Sequence, residues 1–205
     1  MRGGAPTRRA AAGGLALALA AAVPAPPAEA AAARDPGFRR AFEARFVGKP
    51  APPFAARGLD GRTLRLEDYR GRVVLLNFWF SSCPPCRTET PTLMALYEFY
   101  REKGLTVLGV NLDDILIPRF DGSLRKRFLE TFDVNYPILI ADRELYRAYG
   151  EIPVQPMSFL IDRDGTVARI FFGAVPDYAL DEAIRPRLAR PSPSRPRSSS
   201  RPPPG

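Results

Sequence analysis

The stretch NFWFSSCPPCRTETP, Asn77 to Pro91, holds both cysteines of a 205-residue chain, three positions apart. Ahead of them runs RVVLLNFWF (72–80), a continuous apolar segment rich in valine and aromatics. Such a run predicts a central strand covered on both faces. Behind them, 85–103 predicts a helix with Leu93, Leu96, Tyr97 and Tyr100 as its buried stripe and Gly104 as its stop. LTVLGVNL (105–112) is the next buried strand. Strand, helix and strand in this order make a parallel βαβ unit, with the cysteine pair in the turn that opens the helix.

The flanking sequence extends this unit on both sides. Residues 35–46 predict a short helix, with Phe38, Phe42 and Phe46 on one face. GKPAPPF then forces extended chain through Pro50, Pro52 and Pro53, and ARGLDGRTLRL reads as a hairpin turning at Asp60-Gly61. Downstream, 122–132 predicts a helix, YPILIA a strand and RELYRAYG a short helix. MSFLID and VARIFFG predict two strands joined by a turn at Arg163-Asp164-Gly165-Thr166, and DYALDEAIRPRLA closes as a helix. The fold class is therefore α/β: a βαβ half and an antiparallel ββα half on one mixed sheet, without internal repeats.

The ends differ in composition from this body. Residues 1–30 begin with a basic region (Arg2, Arg8, Arg9), continue through an apolar run and finish at Ala28-Glu29-Ala30. That is the pattern of an export signal, and if retained it would serve as a membrane tether. Residues 190–205 contain only Pro, Ser, Arg and Gly, a composition that cannot bury enough surface to order itself. The expected organisation is an export signal (1–30), a helical extension (31–46), one domain (47–189) and a disordered tail (190–205). The formal charge of +8 is concentrated in the ends, with +2 in 1–30 and +4 in 190–205, leaving +2 on the body. A basic nucleic-acid footprint should lie on the folded module, so nucleic acid is not an expected partner.

Two cysteines and no histidine cannot build the usual four-ligand structural zinc site, and they exclude histidine-based acid–base catalysis. A purely structural disulfide across so short a loop gains little chain entropy. Redox chemistry remains. Cys83 falls where a sulfur faces the unpaired N–H groups and the positive end of a helix, which favour the attacking thiolate. Cys86, one turn on, is placed to resolve the mixed disulfide that Cys83 forms. Pro84 and Pro85 supply no N–H donors between them, so a comparatively reducing couple is expected.

These motifs resemble those of thioredoxin-fold thiol–disulfide oxidoreductases of the TlpA/ResA type, over about 47–188. GKPAPPF is similar to that family's opening segment and LNFWFSSCPPCRTETP to its active-site strand and helix. The resemblance implies a thioredoxin fold with an N-terminal extension and an inserted helix within 113–133. It makes Cys83 the exposed nucleophile, Cys86 the resolving thiol and Pro91 a proline that kinks the helix. GEIPVQPMSFLID resembles the segment carrying a cis-proline opposite the disulfide, which falls on Pro156, with the Gln155 backbone available to a substrate strand. VNLDD resembles the segment that brings an acid to the site: Asp114 by position, with Asp113 as the alternative, to exchange the Cys86 proton. Asn77 stands where thioredoxins proper carry a buried Asp, and Ser82 where family members commonly carry Trp. Trp79, Pro84 and Pro85 are the candidate substrate contacts, Trp79 being equally compatible with the core.

The resemblance further implies an exported, periplasmic or extracytoplasmic enzyme that acts without cofactor or metal. It would reduce protein disulfides, apocytochrome c among them, and be re-reduced by a membrane-embedded thiol donor. Two rivals stand beside it. A peroxiredoxin-like peroxidase typically needs Thr or Ser three residues before its reactive cysteine, where Phe80 and Cys83 stand here. A non-catalytic binding module on the same fold would keep its disulfide locked.

Overall fold

Met1 and residues 35–190 are described in a computed structural model; the expected export signal and the tail beyond Arg190 lie outside the described residues. Helix α1 (Pro36–Phe46) starts at Asp35, whose carboxylate accepts the Gly37 N–H at 2.8 Å. The proline-rich segment leads into the hairpin β1 (Ala55–Gly58) and β2 (Thr63–Arg65), which turns through Gly61 at φ 82°. Strand β3 (Val73–Trp79), helix α2 (Pro84–Tyr100) and strand β4 (Leu105–Asn111) form the parallel unit, all seven β3 residues being buried. A short helix α3 (Asp113–Leu116) and helix α4 (Ser123–Phe132) occupy the expected insertion. Then come β5 (Ile138–Ile140), α5 (Arg143–Ala148), the hairpin of β6 (Met157–Ile161) and β7 (Val167–Phe172), and α6 (Asp177–Leu188).

The seven strands lie in the order β2-β1-β5-β4-β3-β6-β7. β3 pairs in parallel with β4 and antiparallel with β6, so the strand leading to the cysteines is central, and the thioredoxin fold expected from the motifs is present. Alternation along each strand divides the core into two layers. Val74, Leu76 and Phe78 face the layer covered by α1 and α5, where Phe42, Phe46 and Leu145 are buried. Val73, Leu75 and Trp79 face the layer built with α2, α4 and α6, through Leu93, Phe128 and Leu180.

Two boundaries depart from expectation. The second helix begins at Pro84, because Cys83 itself caps it, and it gives way to a 3-10 turn over Arg101–Lys103 before Gly104 (φ 102°). The strand read in YPILIA contracts to three residues.

The first layer depends on aromatic packing. Phe159 is fully buried, with ring centroids 5.0 Å from Tyr149, 5.4 Å from Phe46 and 5.8 Å from Phe78. Truncation to alanine removes these contacts and leaves a cavity. Phe159→Ala is expected to cost about 3–5 kcal/mol of stability, read as a lower urea midpoint at unchanged slope.

Candidate active site

The parallel β3–β4 pairing and the antiparallel β3–β6 pairing bring three chain ends to one end of the sheet. These are the exit of β3 toward Cys83, the exit of β4 toward Asp113 and the entry of β6 from Pro156. Cys83 is the N-cap of α2, its sulfur accepting the Cys86 N–H at 3.2 Å. Pro84 and Pro85 fill the first helical positions, where a missing N–H costs nothing, and both are exposed. Cys83 and Cys86 form a disulfide with their Cα atoms 5.3 Å apart.

In this oxidised state Cys83 is only 2% exposed, against the expectation of an exposed nucleophile. Its side chain turns inward to bond Cys86 and to face the first N–H groups of the helix. Ser82, Pro84 and Pro85 form the exposed rim around it. The Gln155–Pro156 peptide is cis. Pro156 is buried and its carbonyl accepts the Gly173 N–H at 2.8 Å, while the half-buried Gln155 side chain donates to the Ile152 carbonyl at 2.9 Å. Pro91 lies on the exposed side of α2 and withholds the N–H that would have bonded the Arg87 carbonyl.

Trp79 belongs to the core rather than to a docking surface. It is 3% exposed, and its ring stacks on Phe128 of the inserted helix with centroids 4.3 Å apart. Gly109 of the neighbouring strand makes room for it: a Cβ there would lie 3.0 Å from Trp79 Nε1 and 2.6 Å from Ile138.

The acids are distributed differently from the sequence expectation. Asp114 is exposed, and its carboxylate is held by Arg125 at 2.6 Å. Asp113 is fully buried and accepts hydrogen bonds from Ser81 and Asn111. Asp114, expected by position to exchange the Cys86 proton, is thus paired with Arg125 of the inserted helix, and Asp113, the alternative, is turned toward Ser81. The acid one turn beyond Cys86, on the same face of α2, is Glu89.

Glu89 is 4% exposed, and its carboxylate accepts the Asn77 Nδ2–H at 3.0 Å and the Val175 N–H at 3.3 Å. Burial pushes its acid up from the usual range to about 7, the two donors only partly opposing that rise. Asn77 also donates to the Ser158 hydroxyl at 2.9 Å, Ser158 being its direct cross-strand partner. Asn77, at the position where thioredoxins proper carry a buried Asp, thus meets a buried carboxyl group from α2. The sequence carried one signal for it: a lone glutamate three residues after Cys86, on the face that must turn toward the sheet. That signal is indistinguishable from a solvent-facing helix charge until the neighbouring layer is known.

A terminal dithiol at a helix N-terminus, with a buried carboxylic acid of near-neutral affinity behind it, can exchange disulfides and move the accompanying proton. Comparisons with known proteins agree. Residues 47–170 match the family model described as the AhpC/TSA family. The chain is 35% identical over 150 residues to the thiol-disulfide oxidoreductase ResA of Bacillus thuringiensis subsp. konkukian, covering 73% of this chain and 83% of that one. To ResA of Geobacillus thermodenitrificans it is 40% identical over 131 residues, covering 63% and 71%. Among solved structures, a Chlorobium tepidum protein described as thiol:disulfide interchange protein DsbE superposes with a TM-score of 0.63 at 34% identity, over 70% of this chain and 98% of that one.

Proposed function

This chain belongs to the AhpC/TSA family, among its ResA-like thiol:disulfide oxidoreductases, and from that premise we propose that it is an exported reductant of protein disulfides working through its CPPC pair. The observation that carries the reading is the Cys83–Cys86 disulfide at the N-terminus of α2 with Glu89 buried one turn behind it.

In the reduced enzyme the Cys83 thiolate, favoured by the Cys86 N–H and the helix end, attacks one sulfur of a substrate disulfide. The substrate's other sulfur leaves as a thiolate, and a mixed disulfide forms. Glu89 takes the Cys86 proton, and the Cys86 thiolate attacks the Cys83 sulfur. The second substrate sulfur leaves, and the two substrate thiolates take up one proton from Glu89 and one from solvent, to which Cys83 had lost its own. The substrate thus gains two electrons and two protons and the enzyme ends as the disulfide. Pro156 and the Gln155 backbone line the approach for an extended substrate segment, beside the rim of Pro84 and Pro85.

A dithiol donor must then return two electrons to Cys83–Cys86; we assign this to a membrane-embedded thiol reductant. The basic and apolar leader supports placement outside the cytoplasm, in the periplasm or its equivalent. Among the described residues no helix is long and apolar enough to cross a membrane. Apocytochrome c, whose paired haem-binding thiols must be kept reduced, fits the chemistry as substrate.

The test is an assay of two reactions side by side. With dithiothreitol as donor, the protein should accelerate reduction of insulin disulfides and leave hydrogen peroxide at its uncatalysed rate. Rapid peroxide consumption with no disulfide reduction would overturn the reading in favour of a peroxidase.

A further inference from the structure

The segment between the end of β3 and Cys83 is only Phe80, Ser81 and Ser82, and the exit of β4 binds it at successive points. The Trp79 carbonyl accepts the Leu112 N–H at 2.8 Å. One residue on, Asp113 receives the Ser81 backbone N–H at 2.7 Å and the Ser81 hydroxyl at 2.6 Å, on its two carboxylate oxygens. The turn then closes, Cys83 N–H donating to the Phe80 carbonyl at 3.2 Å. A fully buried carboxylate is costly unless its lone pairs are filled. Here a third donor, Asn111 Nδ2, completes the set at 2.9 Å.

Asn111 passes the attachment outward. Its Oδ1 accepts from Arg125 of α4 at 3.0 Å, and the same guanidinium pairs with Asp114. The inserted helix meets the other side of the active-site turn as well: Phe128 stacks on Trp79, and the Arg87 guanidinium lies 5.6 Å from the Phe128 centroid and 5.1 Å from that of Phe132.

We propose that Asp113 is a positioning residue: its carboxylate clamps Ser81 so that the turn delivers Cys83 as the cap of α2, with its sulfur held against the first N–H groups of the helix. The inference rests on Cys83 being the attacking thiolate. A side chain that only filled space would not need both carboxylate oxygens committed to one serine. Once the clamp is lost, the turn is free to move, the sulfur spends less time against the helix end and its thiolate loses support.

The experiment uses reduced full-length protein and measures the rate at which iodoacetamide alkylates Cys83 from pH 5 to 10, with peptide mapping to assign the site. Asp113→Ala is expected to raise the Cys83 pKa by about one unit, cutting alkylation about tenfold at pH values below the parent pKa. Ser81→Ala, which keeps the carboxylate and the backbone bond, should shift it in the same direction by less. The double variant should be no worse than Asp113→Ala alone, because the two act through one contact.

A fall in the Cys83 pKa in Asp113→Ala would mean that the carboxylate acts as a repelling charge and would overturn the positioning role. Unchanged values in folded variants, or additive effects, would overturn it equally. Should Asp113→Ala fail to fold, judged by circular dichroism, the Ser81→Ala shift decides alone. A Cys83 that is unreactive in the parent protein would sink the reading of the site itself, a result distinct from any of these.

Discussion

A Cys86→Ser protein is expected to arrest on its substrates, accumulating mixed disulfides through Cys83 while turnover falls to the background thiol rate. The expectation follows from the division of labour between the two sulfurs. Cys83 keeps the position that favours its thiolate, as cap of α2, because that position depends on the helix end and not on the second cysteine. The serine hydroxyl that replaces Cys86 is too weak an acid and too poor a nucleophile to expel the bound substrate. Folding should be nearly unaffected, since a disulfide across three positions restrains the unfolded chain very little. The adduct is read by non-reducing electrophoresis and mass spectrometry of the exported fraction, and Cys83→Ser should abolish both adducts and turnover. If Cys83 is alkylated readily but captures no protein, the exchange mechanism is wrong.

Glu89→Gln should have the next largest effect, slowing disulfide reduction about 10²-fold near neutral pH while leaving alkylation of Cys83 in place. Glu89 is asked to accept the Cys86 proton, so its loss strikes the resolving step and not the first attack. In the parent protein the resolving rate should rise as pH passes through about 7, where burial has placed the Glu89 acid, and the variant should lack that limb. The same group makes a stability prediction with a definite sign. The folded protein holds this proton more tightly than the unfolded chain does. The associated stability is therefore complete below pH 4.5 and is lost as pH rises through about 7, by at most about 3 kcal/mol. Denaturation of the oxidised parent at pH 5 and pH 8 should show this loss, and Glu89→Gln should flatten it. Identical pH dependence in parent and variant would remove Glu89 from both roles.

The fold was legible because its signals are local. The continuous apolar run at 72–80, the stop at Gly104 and the turn at Asp164-Gly165 each report a conformation that few neighbours can override. Boundaries moved where a side chain from the site intervened, as when Cys83 took the cap position and drew Pro84 into the helix. The site was half legible. Spacing alone pairs Cys83 with Cys86, and the resemblance marked Pro156, whose peptide is cis here. Spacing did not separate Asp113 from Asp114, adjacent residues that point in opposite directions: one is buried against Ser81, the other is exposed beside Arg125. Nor did it show that Trp79 would be stacked under the insertion.

By itself the amino-acid order determined a mixed α/β sheet with two sulfurs at the mouth of its central helix, because strand and helix periodicity and a three-residue spacing are properties of the chain read locally. Which carboxyl groups are buried beside the active-site helix was decided only by the packed molecule. A carboxylate's affinity for a proton depends on what water it has lost and which donors it has gained. For Glu89 those donors are Asn77 and Val175, 12 and 86 residues away along the chain.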